Sequence, residues 1–566
     1  MVGQNEARKY KTALVDVLLF LLLAAISFSA FKKFTHGDLW LDEADYAVAS
    51  LHTVQDNRWD STDKPDQPEQ LIRLRHYHAP ATALLLKFAH RFGADEETLR
   101  IPFVIAGALS VGFVYLCGAA LYPSRREIGA ACAIATIITP ANARMASHAV
   151  PWSVIILELM ALLLGCVQFA RNRRATSLIW CGLALGALFV TSETFFVVVP
   201  ILALALPVTL LPEIAQFLGR KGWMPAGLIP AEFPSLSSSS SAIHISRKEL
   251  LKGIVCGAIT FLVVGIIIWP AGLRGHCVLM LRHYIEMRHS ESFPVNIGNQ
   301  VYKTAPKWAY LYWYRNEYLP YFASYAAGLF AVVLGSLIQL KSLFRAPLVE
   351  AREGASGSIW SLPLGSVPLV LFTVVLLAAA HRAHIIGPEY LAHCLPFLML
   401  CAGYIVLVIS RASRPAGIAV LLICGLIFLR WTPSKALPGM DARTQISRWQ
   451  PAAIAIKQKW IPLDRVILGP QSPNVAYWYL HEWAGIPMHD WQIGQFTLSG
   501  PGPNFLRNLT NGKYRFVVIS SQFEDRVINA TDRRSLAIFS HWDPPIFSDE
   551  HGTGPPRLTV FRCPYP

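Results

Sequence analysis

Charged residues are scarce in this sequence. They make up 15% of the 566 residues, whereas soluble domains carry about 25%. Hydrophobic residues make up 53%. A soluble protein of this length cannot cover so much apolar surface with so few charges, and a disordered chain is poor in apolar residues and rich in charge. The composition therefore excludes both classes and favours an integral membrane protein.

Metal-type cysteine spacing and internal repeats are also lacking. None of the ten cysteines has a neighbour at the spacing of a metal site. Most of them lie in or beside apolar runs, where a free cysteine behaves as a small hydrophobic residue. Only Cys277 and Cys563 fall outside those runs, on the side predicted below to face outward. The sequence therefore gives no support to a cysteine-held metal site or to a transporter built from repeated halves.

What the sequence has instead is a series of apolar runs that approach or reach the length needed to cross a ~30 Å hydrocarbon core as a helix. Further runs follow the first one, which is therefore interpreted as a span and not as a cleaved signal peptide. These runs predict an α-helical polytopic membrane protein with about 11 transmembrane helices. The predicted spans are Leu14–Phe31, Ile101–Tyr122, Ile128–Ala141, Pro151–Ala170, Ser177–Thr191, Phe195–Leu211, Gly253–Pro270, Leu319–Leu340, Leu362–Ala380, Leu391–Ser410 and Gly417–Leu429.

Basic residues mark one side of the predicted bundle. They precede the first span and recur at every second junction, so that face is predicted to be cytoplasmic. An odd number of spans then places the C-terminus outside. These clusters account for much of the formal net charge of +14, which requires no nucleic acid partner. They are Arg8, Lys9 and Lys11; Arg125 and Arg126; Arg171, Arg173 and Arg174; Arg220, Lys221, Arg247 and Lys248; Lys341, Arg345 and Arg352; and Arg411 and Arg414.

Two domains are predicted. Residues 1–431 form a transmembrane domain whose long first outer loop covers residues 32–100, and residues 432–566 form a small extracytoplasmic α/β domain. Segments of the second domain have the pattern of buried strands or of a helix packed between them. The strand segments are Arg465–Leu468, Tyr514–Ser520 and Arg557–Arg562, and the helical segment is Asn474–Trp483.

The most informative segment follows the first span and contains Asp42, Glu43, Asp45 and Tyr46. On a helix Asp42, Asp45 and Tyr46 share a face. The simplest structural explanation is the first turn of a helix, where acids interact favourably with the positive end of the dipole. That explanation accounts for one acid but not for an adjacent pair so close to the bilayer surface. Taken alone, the segment leaves a structural and a functional role equally open.

The pattern Trp40-x-Asp42-Glu43-Ala44-x-Tyr46 after one span resembles the glycosyltransferase-C superfamily, and its branch of protein O-mannosyltransferases and lipid A aminoarabinose transferases in particular. His76–Pro80, Leu99–Pro102 and Glu389–Phe397 resemble further stretches of that family, in the same order and on the same side.

The chain also departs from the family pattern. Ala79 replaces the first of two prolines, and Glu389 replaces an arginine. The second outer loop, residues 142–150, contains no acid, whereas relatives often carry one there. The missing acid counts against a metal ion bound jointly by the first and second outer loops, and so against the donor class that such a metal would imply.

The resemblance implies transfer of a sugar from a polyprenyl-phosphate donor to an acceptor hydroxyl on a glycan, lipid or protein, with inversion at the anomeric carbon. It assigns the general base to Asp42 and a supporting role, or that of a divalent-metal ligand, to Glu43. The leaving phosphate needs positive charge. The candidate donor phosphate-binding residues are Arg75, His76, His78, His381, Arg382 and His384, and the further site candidates are Asp45, Tyr46, His148, Glu389 and Tyr390. Lys87 and Arg100 are interpreted as helix-end residues.

Three other functions remain open at this point. A transporter or flippase of lipid-linked sugars would place ionisable residues within its spans, whereas here, apart from Glu158 and Glu193, the acids cluster on one outer face. A membrane-anchored assembly or receptor protein would not need acids in the first loop. A glycan polymerase or ligase would use the same face and is not separated by the sequence. The membrane is predicted to be a bacterial inner membrane with the C-terminal domain in the periplasm, with the endoplasmic reticulum as the alternative.

Overall fold

The part of the chain that the computed structural model describes lies mainly in residues 2–210 and 366–434. The described residues are 2–39, 41–52, 79–210, 246–270, 272–278, 281–282, 295–297, 300–302, 306, 326–335, 337, 366–382, 392–434, 449–461, 464, 466–468, 475, 477–486, 491–493, 496–497, 500–501, 515–520, 544–548 and 558–562.

Helices dominate these residues. In chain order they are α1 (Val2–Lys32), α2 (Leu41–His52), α3 (Ala81–His90), α4 (Glu96–Leu121), α5 (Arg126–Ile138), α6 (Pro140–Ser147), α7 (Trp152–Asn172), α8 (Ala175–Thr191), α9 (Thr194–Thr209), α10 (Arg247–Ile268), α11 (Ala326–Gly335), α12 (Ser366–Arg382), α13 (Leu395–Ala412), α14 (Arg414–Ser434) and α15 (Trp449–Lys459).

Local sequence explains several helix starts. Asp95 caps α4, because its carboxylate accepts hydrogen bonds from the Thr98 amide at 2.9 Å and the Thr98 hydroxyl at 2.7 Å. Ser246 and Glu249 form a capping box at the start of α10. Pro140 takes the first position of α6, where its missing N–H costs nothing, and so separates α6 from α5.

The apolar runs of the sequence do form helices. Five helices are long and apolar enough to cross a membrane, and five further apolar helices are shorter. Each predicted span overlaps one of the helices α1, α4, α5 or α7–α14. The protein is thus a helical, multi-pass membrane protein. The number of spans stays a prediction, because α5 has only 13 residues.

Contacts between helix ends support the predicted alternation. Arg126, at the start of α5, forms a 2.5 Å ion pair with Asp16 in the first half of α1. Arg171 donates to the Ala120 carbonyl at 2.6 Å, and Arg173 donates to the Thr209 carbonyl at 2.8 Å. The basic residues of these junctions therefore share one end of the bundle.

Short strands follow in the later part of the chain. They are β1 (Val295–Ile297), β2 (Gln300–Tyr302), β3 (Val466–Leu468), β4 (Trp491–Ile493), β5 (Phe496–Thr497), β6 (Gly500–Pro501), β7 (Phe516–Ser520), β8 (Phe547–Ser548) and β9 (Leu558–Arg562). Five of them form one mixed sheet in the order β4-β3-β7-β9-β8, parallel from β4 to β7 and antiparallel from β7 to β8. Strands β3, β7 and β9 lie inside the three segments with strand patterns.

Two large apolar clusters and one small cluster around Phe189 and Trp269 hold the described elements together. The largest one joins the membrane helices. The second joins the first outer loop to the C-terminal segment, because Leu39, Ala47 and Phe103 pack in one cluster with Trp449 and Trp478. The chain after α14 is thus anchored on the loop that carries the acidic segment. The proposed division into domains at residue 431 remains a prediction.

Candidate active site

The acidic segment forms helix α2, so the arrangement that the structural explanation required is present. Asp42 and Glu43 occupy the first turn, where the helix dipole favours negative charge. The Glu43 side chain is completely buried, on the same face as Ala47, whereas Asp42 is half-buried. Tyr46 packs against the second apolar cluster. Adjacent acids therefore have different environments.

Glu43 is held by Arg100 from the start of α4. The guanidinium binds the carboxylate through two bonds, from Nε to Oε1 at 2.8 Å and from Nη2 to Oε2 at 2.6 Å. The exposed fractions of the two side chains are 0% for Glu43 and 3% for Arg100. A bidentate, water-excluded pair of this kind fixes both position and orientation.

Arg100 also organises the chain that leads into α2. Its Nη1 donates to the carbonyl oxygens of Thr35 at 2.8 Å and Gly37 at 2.9 Å, and its Nη2 donates to that of Asp38 at 2.8 Å. Gly37 has a φ of 95°, which favours glycine at this position. One arginine thus ties the end of the first span to the acidic helix.

The second outer loop contributes a backbone donor in place of an acid. The Ala149 amide donates to Glu43 Oε1 at 2.6 Å. The neighbouring His148 lies near Glu43, and its Nδ1 donates to the Arg144 carbonyl at 2.6 Å. Burial lowers the pKa of His148, an effect that the negative charge of Glu43 partly opposes. The loop therefore completes the support of Glu43 and presents a neutral imidazole beside it.

The C-terminal segment supports the same structure from the other side. The Tyr479 hydroxyl donates to Glu96 Oε1 at 2.7 Å and accepts from the Leu39 amide at 2.9 Å. Asp38 Oδ1 accepts from the Trp449 amide at 3.1 Å. Burial, together with the negative charges of Asp38 and Glu96, raises the pKa of Tyr479 well above its ordinary value. The phenol therefore stays protonated and remains a donor.

The described residues bring Asp42, Glu43, Tyr46 and His148 into one region. The side chain of Asp45 lies outside the described residues. His381 and Arg382 end helix α12, but their side chains are also outside the description. The remaining candidates, which lie wholly outside it, are Arg75, His76, His78, His384, Glu389 and Tyr390. The phosphate clamp thus stays a prediction.

Two residues at the site were not predicted from the sequence. Arg100 was interpreted as a helix-end residue, but it is the buried partner of Glu43. Glu96, 7% exposed, binds Tyr479 and accepts from Gln450 Nε2 at 2.6 Å. The available signal for Arg100 was its place in the family-like stretch Leu99–Pro102.

Glu43 does not fit the role of a metal ligand. Both of its oxygens are bound, to Arg100 and to the Ala149 amide. Among the described residues, no group of three or more His, Cys, Asp or Glu side chains could hold a metal ion. The geometry of Glu43 is that of a residue that positions its neighbours.

His90 gives the contact between the first loop and the C-terminal segment a pH dependence. Its ring lies 5.0 Å from that of Trp478, and its Nε2 is buried without a hydrogen-bond partner in the described structure. Burial lowers the pKa of His90, partly opposed by the charge of Glu482. Below pH ~6.5 the unfolded chain therefore binds more protons than the folded one, so stability falls as the pH falls from there through the lowered pKa.

We expect the thermal midpoint of the wild-type protein to fall between about pH 7.5 and pH 5.5. His90→Phe should reduce this fall, because the apolar ring has no proton to bind. Thermal unfolding in detergent at several pH values measures the difference, with the midpoints at about pH 8 as the baseline. Identical pH slopes for the two proteins would contradict the prediction.

The fold and the site together define a multi-pass membrane protein with an acidic helix fixed at the end of its bundle opposite the basic junctions. The family model for dolichyl-phosphate-mannose-protein mannosyltransferase matches residues 77–223. No curated protein matches the chain. The structure is similar to that of ArnT from Cupriavidus metallidurans in the apo state, with a TM-score of 0.53 and 13% identity over 97% of this chain and 98% of that one.

The same protein bound to undecaprenyl phosphate gives a TM-score of 0.52 and 13% identity over 96% of this chain and 97% of that one. At this identity the likeness concerns the fold. The resemblance to the glycosyltransferase-C superfamily is thereby confirmed, and the chain has the fold of these membrane glycosyltransferases.

Proposed function

We propose that this protein is an inverting glycosyltransferase that moves a sugar from a polyprenyl-phosphate donor to an acceptor hydroxyl at the extracytoplasmic face of the membrane. The observation that carries the proposal is the contrast between two adjacent acids. Glu43 is fully buried, while Asp42 on the same first turn of α2 is half-buried. An acid that remains accessible beside a rigid anchor is suited to meet a substrate.

Asp42 takes the role of general base in this proposal. Its carboxylate accepts the proton of the acceptor hydroxyl while the oxygen attacks the anomeric carbon, and the bond from that carbon to the phosphate oxygen breaks. The attack comes from the face opposite the leaving group, so the configuration inverts. Glu43 and Arg100 act on the reaction only by holding helix α2 in position.

The donor class is inferred from the lipid carriers of similar proteins. The matching family model is named for dolichyl-phosphate-mannose, and one similar structure holds undecaprenyl phosphate. Both carriers are polyprenyl phosphates. Such a donor keeps its lipid tail in the bilayer and presents its sugar at the interface, which is where α2 lies in the predicted topology. The leaving phosphate needs cations, and His381 and Arg382 at the end of α12 are the predicted clamp residues whose backbone the structure describes.

The direct test is donor turnover. Purified protein is incubated with a panel of polyprenyl-phosphate sugars in detergent or nanodiscs, and release of polyprenyl phosphate is measured. Release from at least one donor, dependent on added acceptor, supports the proposal. If no donor of the panel is consumed by folded protein, the assignment as a polyprenyl-phosphate-sugar transferase is wrong.

Orientation is the second part of the proposal. We place α2 on the periplasmic side of a bacterial inner membrane and the basic junctions in the cytoplasm. His36, with a side chain 58% exposed, then lies outside, and the exposed Arg174 lies inside. In intact cells, His36→Cys should react with an impermeant maleimide and Arg174→Cys should not. Wild-type protein gives the background labelling, because its described cysteines are buried or half-buried. The reverse pattern would place the site on the cytoplasmic side.

A further inference from the structure

A small cavity with polar and apolar lining residues lies between α1, α4, α5, α6 and α7. Its volume is about 10 Å³, which is about the room that one water molecule needs. Four of its lining side chains are polar: Ser110, Thr136, Asn142 and Ser153. The other lining residues are apolar or glycine, so none of the described residues that line it is charged.

Two buried polar atoms of this cavity have no hydrogen-bond partner in the described structure. They are Asn142 Oδ1 and Ser153 Oγ. Asn142 is 5% exposed and Ser153 is 1% exposed. The orientation of the Asn142 amide is fixed, because its Nδ2 donates to the Thr136 carbonyl at 3.2 Å. Leaving such atoms unsatisfied costs free energy, so each calls for a partner.

The hydroxyls of Ser110 and Thr136 indicate whether that partner must donate or accept hydrogen bonds. The Ser110 hydroxyl donates to the Gly107 carbonyl at 2.7 Å, and the Thr136 hydroxyl donates to the Cys132 carbonyl at 2.9 Å. Both have used their hydrogen and can only accept. Asn142 Oδ1 can also only accept. The occupant must therefore be a small molecule that donates hydrogen bonds.

We propose that this cavity binds one water molecule, which donates to Asn142 Oδ1 and is hydrogen-bonded to Ser153 Oγ. Water can donate to Asn142 Oδ1 and can either donate to or accept from Ser153 Oγ. A cation would be buried among uncharged groups, which is costly in a membrane protein. A direct bond from Ser153 to Asn142 would satisfy both atoms but would leave the cavity unfilled.

The position of this water gives it a structural consequence. Asn142 lies in the first turn of α6, and Ser153 lies in the first turn of α7. The segment between these helices contains His148 and Ala149, whose amide binds Glu43 at 2.6 Å. The water thus joins the two ends of the segment that supports the anchor of the acidic helix. This role does not depend on the proposed reaction.

An experimental structure at about 2 Å resolution tests the proposal directly. We expect one density peak at hydrogen-bond distance, about 2.6–3.2 Å, from both Asn142 Oδ1 and Ser153 Oγ. A cavity without density, with Ser153 bonded directly to Asn142, would overturn it. A peak surrounded by five or six oxygens at shorter distances would identify a cation instead.

A variant pair tests the consequence in solution. Ser153→Ala removes one partner of the water, and Ser27→Ala is the matched control, because Ser27 is equally buried but donates to the Leu23 carbonyl within its own helix. Hydrogen exchange of peptides covering Ser147–Trp152 should become about tenfold faster in Ser153→Ala and remain unchanged in Ser27→Ala. Equal exchange in the two variants contradicts the bridge. A thermal midpoint that depends on Na⁺ compared with K⁺ at constant ionic strength would favour a cation and overturn the assignment to water.

Discussion

Replacing Asp42 by Asn is expected to reduce sugar transfer by about 10²- to 10⁴-fold while leaving the fold intact. The amide keeps the shape of the side chain but cannot accept the proton of the attacking hydroxyl. Asp42 is half-buried, and Glu43 makes its own buried contacts with Arg100 and Ala149, so a change at Asp42 that keeps the side-chain shape leaves those contacts in place. The expected signature is therefore lost turnover at an unchanged thermal midpoint.

Release of polyprenyl phosphate and thermal unfolding are measured on the same preparations of wild type and Asp42→Asn. Glu97→Gln is the matched control, because Glu97 is likewise a half-buried acid and forms a 3.0 Å ion pair with the exposed Lys32. It should keep both activity and stability. Full turnover by Asp42→Asn would exclude Asp42 as the base, and lost turnover together with a lowered midpoint would point to a structural role instead.

Features that repeat along the chain were predictable from the sequence. Apolar runs such as Ile101–Tyr122 indicate helices because a membrane span must satisfy its backbone internally and face lipid. Basic residues such as Arg126 and Arg173 indicated which junctions share a side, and the contacts with Asp16 and Thr209 agree. These signals depend only on neighbouring residues, so they do not require knowledge of the fold.

Contacts between distant residues were not predictable in the same way. The Arg100–Glu43 pair joins residues 57 positions apart, and the Tyr479–Leu39 bond joins residues 440 positions apart. From sequence, an arginine at the start of an apolar run looks the same whether it reaches toward lipid headgroups or binds a buried acid. Only the folded structure distinguishes the two environments.

The different environments of Asp42 and Glu43 were partly predictable from the sequence. Ala47 follows Glu43 by one helical turn and is buried with it. A carboxylate on the apolar face of an amphipathic helix requires a buried cation, because an unpaired buried charge is very costly. The pattern of α2 therefore contained a signal that Glu43 has a partner, although not which residue it is.

Breaking the Glu43–Arg100 pair from one side is expected to cost about 3–5 kcal/mol in free energy of unfolding. Glu43→Gln leaves the Arg100 guanidinium buried at 3% exposure without a countercharge. Arg100→Met leaves the Glu43 carboxylate buried and also removes the donors to the Thr35, Gly37 and Asp38 carbonyls. Both variants should lose activity along with stability, which separates them from Asp42→Asn.

The double variant decides whether the two charges act as a pair. Carrying Glu43→Gln and Arg100→Met together removes both charges, so its destabilisation should be smaller than the sum of the two single effects. It should not return to wild type, because the three backbone carbonyls still lack their donors. Denaturant unfolding in detergent gives the four free energies, with Glu97→Gln as the surface reference at about 0–1 kcal/mol. If the single effects simply add, or if Glu43→Gln costs no more than Glu97→Gln, the buried pair neither holds the acidic helix nor positions Asp42.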